Sequence, residues 1–67
     1  MKVEDMYYIE GRGHVAVVSD VTPKTCPKAG DKVDVRGQEC VVNDVEHWSG
    51  DNWKVAGLLL RGYNPNL

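Results

Sequence analysis

The chain contains no phenylalanine, and aromatic residues of all kinds make up only 7% of it. Tyrosine and tryptophan must stand in for it wherever the core needs a ring. Two cysteines, Cys26 and Cys40, are too few for the disulfide framework of a small secreted domain, and they read as free thiols in a reducing compartment. Cys40 sits among valines, as a small core residue would. The N-terminus, Met1-Lys2-Val3-Glu4-Asp5, reaches acidic residues with no apolar signal region, which predicts a cytoplasmic protein. No apolar run approaches the ~18 residues of a membrane span; the longest, Ala56 to Leu60, is interrupted by Gly57. A basic excess is missing too. Eight Lys and Arg against ten Asp and Glu give a charge of −2, which excludes the uniform phosphate attraction of a strongly basic nucleic-acid binder and leaves only local contacts. With 67 residues there is room for one domain, whose core supplies only roughly 3–5 kcal/mol of net stability.

What is present is valine, eleven times, and apolar residues recur at spacing two, the period of strands. Met6 to Glu10 is predicted as a first strand, with Val3, Asp5, Tyr7 and Ile9 on one face and Glu4, Met6, Tyr8 and Glu10 on the other. Gly11-Arg12-Gly13 interrupts it. His14 to Asp20 forms a second strand, partly apolar on both faces. Val21 to Asp31, with Pro23, Pro27 and Gly30, reads as a loop. Lys32 to Arg36 alternates strictly, Gly37-Gln38 supplies a two-residue turn, and Glu39 to Trp48 completes a hairpin. Ser49-Gly50-Asp51-Asn52 is a further turn. Val55 to Leu60 is continuously apolar, as a strand buried on both faces would be, and Tyr63 to Leu67 reads as a loose tail. Five or six short strands, with no internal repeat, predict an all-β fold, a small barrel or sandwich.

Catalysis has no local motif. Neither His14 nor His47 stands beside a nucleophile with an orienting partner, and no Cys-x-x-Cys or His-x-x-x-His spacing suggests a metal. Gly11-Arg12-Gly13 lacks the glycine spacing, the lysine and the following helix of a phosphate loop. The expectation is no enzyme, no cofactor, no metal and no nucleotide. Binding is easier to support. Gly11 and Gly13 permit a close backbone approach, and Arg12 is a planar fork suited to carboxylate or phosphate. The plainer alternative is a glycine bend with Arg12 in a surface ion pair. Among Tyr7, Tyr8, Trp48, Trp53 and Tyr63, alternation places Tyr7 and Tyr8 on opposite faces, one toward the core and one free to stack on a base or a partner, and at least three of the five are expected in the core.

The run Val3-Glu4-Asp5-Met6-Tyr7-Tyr8-Ile9-Glu10-Gly11-Arg12-Gly13-His14-Val15 resembles the opening of the second domain of the bacterial elongation factor Tu family. Ala29-Gly30-Asp31-Lys32-Val33-Asp34-Val35 and Ala56-Gly57-Leu58-Leu59-Leu60-Arg61-Gly62 are similar to two later strands of that domain, in the same order. The resemblance implies a closed, six-stranded, Greek-key-like β-barrel of the translation-factor type, without the GTPase domain and its activity. It also implies a translation role: binding a transfer RNA acceptor end, as elongation factor Tu does, or ribosomal RNA. The residues carried over are the acidic pair Glu4 and Asp5; Ile9, Gly11 and Val15, lining the terminal-adenine pocket; Glu46, stacking on that base; and Leu59, completing the wall. Arg12 and His14 join the same face. This chain departs from the family at His14, where threonine is usual, at Ser49 in place of arginine, and at Val55 in place of asparagine. The family's closing strand lies beyond the equivalent of Leu67. An edge without it would be covered by a protein partner or by another copy in a homodimer. The reading is thus a non-enzymatic, RNA-binding barrel, with a protein-binding module as its alternative and a small hydrolase or metal protein as a third.

Overall fold

The computed structural model describes residues 1–47 and 53–67. Its strands are β1 (Lys2–Ile9), β2 (Gly13–Ser19), β3 (Lys32–Val35), β4 (Gln38–His47) and β5 (Val55–Arg61). They form one antiparallel sheet in the order β1-β2-β5-β4-β3, curled into a half-barrel. The fold is all-β, as the valine-rich alternation predicts. The predicted turn at 49–52 and the predicted end of the long strand at Trp48 lie outside the described residues. Where the resemblance implies six strands in a closed barrel, the described residues form five, with β1 and β3 at the two edges.

The sequence places the last strand at the centre of the sheet for a simple reason. β5 is buried without a break from Ala56 to Leu60, and only a strand flanked on both sides and covered on both faces can bury every residue. The inner face carries the core. Ala16 and Val18 of β2, Cys40 and Val42 of β4, and Ala56, Leu58 and Leu60 of β5 pack there with Val35, and Val21, Cys26 and Trp53 join from outside the strands. The segment holding Val21 and Cys26 is folded by Thr22, whose carbonyl accepts from Cys26 N at 2.9 Å and whose amide donates to Thr25 Oγ1 at 2.9 Å.

Two β-bulges correct the predicted faces. Pairing shifts between Val3 and Asp5 in β1 and between Val42 and Asp44 in β4. Each extra residue reverses the alternation. Val3 therefore joins Met6 against the core, while Asp5, Tyr7 and Ile9 take the outer face. β1 also begins at Lys2, four residues before the predicted start, because the bulge hides the period of its first half. In the β3–β4 hairpin Val35 pairs with Gln38, so the turn residues are Arg36 and Gly37, with φ of 53° and 81°. That is one residue earlier than predicted. A tight hairpin of this kind needs positive φ at both central positions, which puts its glycine second.

The aromatic expectations need a larger correction. Tyr7 and Tyr8 are both exposed, at 54% and 66%, and of the described aromatic residues Trp53 alone is buried. β1 is an edge strand, so neither face of its second half is fully covered. The tail is tied at its start: Gln38 Nε2 donates to Asn64 O at 2.7 Å and Asn64 N donates to Gln38 Oε1 at 2.8 Å.

Candidate functional site

Strand register assembles most of the predicted residues on the outer face. Asp5, Val17, Gly57 and Glu46 form one row across β1, β2, β5 and β4, and Tyr7, Val15, Leu59 and Asp44 form the next. Ile9 stands opposite Gly13 beside them. The β1–β2 connection closes with Arg12 N donating to Ile9 O at 2.9 Å, and Gly11 takes a φ of 84°. Positive φ at the third position of a turn is strained for any residue with a Cβ. The Gly-Arg-Gly run thus serves to turn the chain sharply and aim Arg12 back over the sheet.

Arg12 reaches Glu46, with Nη1 to Oε1 at 2.7 Å, and approaches Asp44, with Nη2 to Oδ2 at 3.8 Å. Glu46 lies on β4 and Arg12 in the turn just before β2, so the pair reaches across β5. Leu59, in that part of β5, is only 9% exposed although it faces away from the core. Both charged side chains are more than a third exposed, so the pair contributes only about 0–1 kcal/mol to stability. Its structural effect is to tie the β1–β2 turn to β4. The surface ion pair considered for Arg12 is present, and it lies among the residues carried over from the resemblance.

Two residues stand elsewhere, Glu4 and His14. Glu4 occupies the β1 bulge, where its carboxylate accepts from Ser19 Oγ and approaches Lys2 Nζ at 3.9 Å. Asp5 shares the row of Glu46, with Val17 and Gly57 between them. His14, expected on the same face as Arg12, is corrected to the opposite face. It pairs with Tyr8 in the alternation of Met6 and Ala16, and its ring lies edge-on to Tyr8 at 5.1 Å and to Tyr63 at 5.2 Å. Sequence reasoning missed Asp44, the second carboxylate near Arg12. Its signal was its position two residues before Glu46, which puts both on one strand face.

A cleft of about 240 Å³ lies at the other side of Asp44, between Pro23, Cys26, Pro27 and Trp53. Cys26 and Cys40 are free and buried, and burial pushes both thiols above their ordinary value, helped at Cys40 by Asp34 and opposed at Cys26 by Lys28. A raised thiol is a poor nucleophile at neutral pH. Tyr7 is also raised, because the Asp5 carboxylate favours the protonated phenol as a hydrogen-bond acceptor and repels the phenolate. Among the described residues no three His, Cys, Asp or Glu side chains gather as a metal site, and no helix is long and apolar enough to cross a membrane. No family model, curated protein or solved structure matches this chain.

Proposed function

We propose that this chain is a non-catalytic binding module that holds the terminal nucleotide of an RNA acceptor end on the outer face of its sheet. The observation that supports the reading is the outer-face register, which sets Val15 beside Leu59 and Glu46 one row away, with the Arg12–Glu46 pair tying the β1–β2 turn that holds Gly11 and follows Ile9 to β4. Those are the positions that the resemblance to the elongation factor Tu second domain carries over. A base stacks on the Glu46 stem beside Leu59, with the half-buried Val15 beyond it, while backbone near Gly11 and carboxylates such as Asp5 offer polar contacts. Arg12 already faces Glu46, so the face holds a base and sugar better than a phosphate. This suits a chain of charge −2.

The test is an amide NMR titration of the labelled protein with a short hairpin RNA ending in CCA, aminoacylated and free. Shifts at Gly11 to Val15, Glu46 and Leu59, larger with the aminoacylated end, are expected. Their salt dependence should be that of about one phosphate, a logarithmic slope of about −0.7 for a single strand. Unmoved resonances at high micromolar RNA, or an affinity unchanged in the Arg12→Ala, Glu46→Ala double variant, would sink the reading.

A further inference from the structure

The two edges of the sheet are not alike. β3 is four residues long and alternates Lys32 and Asp34 with valines, and a short, charged strand discourages pairing with another chain. β1 is eight residues long, and its second half, Met6-Tyr7-Tyr8-Ile9, carries no charge. Among the described residues nothing pairs with its outer side.

The hydrogen bonding shows which groups that edge presents. Ile9 O accepts from Arg12 N within the hairpin, so Ile9 and, by the period of two, Tyr7 direct their backbone groups toward β2. Met6 and Tyr8 direct theirs outward. Met6 N–H agrees: it donates to the Asp5 carboxylate, Oδ1 at 2.8 Å, rather than to a strand.

From this we infer that β1 is an association edge, and that its occupant is the β1 of a second copy, running antiparallel across a two-fold axis at Tyr7. The strand is complementary to itself in that register. Met6 of one copy exchanges backbone hydrogen bonds with Tyr8 of the other, and the reverse pair repeats it, so all four outward groups of each strand are used. Tyr7 meets its own copy at the axis as a non-hydrogen-bonded pair, and Asp5 falls opposite Ile9; Glu4 of the bulge and Glu10 of the turn fall opposite each other just outside this ladder, a like-charge pair that confines the pairing to residues 5 to 9. Neighbouring registers fail: one places the bulged Glu4 opposite Tyr8, and the other brings Glu10 of the turn opposite Met6. A two-fold contact requires this kind of self-match. The two half-barrels then share one continuous ten-stranded sheet. Asp5 acts as a stopper that must release Met6 N–H before the edge can pair.

Sedimentation equilibrium from low micromolar to millimolar protein, with no RNA present, tests this apart from the RNA reading. A monomer–dimer equilibrium is expected. Tyr7→Lys sets like charges face to face and should weaken it roughly tenfold or more, whereas Asp5→Ala frees the Met6 amide and should tighten it. Tyr7→Cys should give a disulfide-linked dimer on mild oxidation, because a non-hydrogen-bonded pair has Cα atoms about 4.5 Å apart, within bridging range. Tyr7 is exposed and outside the core, so these variants fold. Monomer at every concentration would overturn the inference, as would Tyr7→Lys associating as tightly as the parent protein.

Discussion

The inner and outer faces of β5 bury neighbouring leucines by different means. Leu58 is fully buried among Ala16, Val18, Val42 and Val21, residues that approach from two other strands and a loop. Leu59, one residue on and facing the other way, is shielded at 9% exposure on a face whose neighbours are the half-buried Val15, exposed Tyr7 and the Arg12–Glu46 pair. The inner face is closed by a cluster of fully buried side chains, whereas the outer one borders exposed and charged residues. A surface of the second kind can be tightly covered when empty and still admit a ligand.

The contrast is broken most strongly at Leu58. Leu58→Ala should cost about 2–5 kcal/mol, comparable with the whole stability of so small a domain, and urea unfolding should find the variant largely unfolded in water. Leu59→Ala should cost less, about 1.5–3 kcal/mol, because Arg12 and Tyr7 can settle into the space. Equal costs at the two positions would mean that the outer face is packed as rigidly as the core. Removing Arg12 or Glu46 should cost only about 0.2–1 kcal/mol, with a coupling in a double-mutant cycle that fades as salt is added.

The smallest effect belongs to pH. Cys26, Cys40 and Tyr7 all titrate above their ordinary values of 9.0, 9.0 and 10.0. A raised folded value means that the folded state keeps its proton longer than the unfolded chain. The stability this provides is complete below pH 9 and is lost as the pH climbs through the folded values. Thermal melts should therefore fall on the alkaline side. Asp5→Asn should bring the Tyr7 phenol, followed by its ultraviolet absorbance, back toward its ordinary value.

The strands were legible because burial on one or both faces writes itself as alternation or as a continuous apolar run; β5 is the clearest case. What could not be read were the bulges. One extra residue at Glu4 or Asn43 leaves composition unchanged but reverses every face beyond it, which is why Val3 was assigned with Tyr7 rather than with Met6. Arg12 could be singled out from its place between two glycines, whereas Glu46 came by resemblance alone. Nothing local says that a turn residue will cross a strand placed between them by a pairing of residues as distant as Val15 and Leu59. His14 was misplaced for the simpler reason that a residue next to a glycine turn still obeys the alternation of its strand.

The strand order has a consequence for how the molecule forms. β1 with β2, and β3 with β4, are local hairpins, and in the sheet β5 lies between them. The pairing of β2 with β5 joins residues as far apart as Val15 and Leu59, and such non-local pairings slow folding toward the millisecond-to-second range. The two hairpins become one sheet only when β5, which follows both in the chain, takes the place between them.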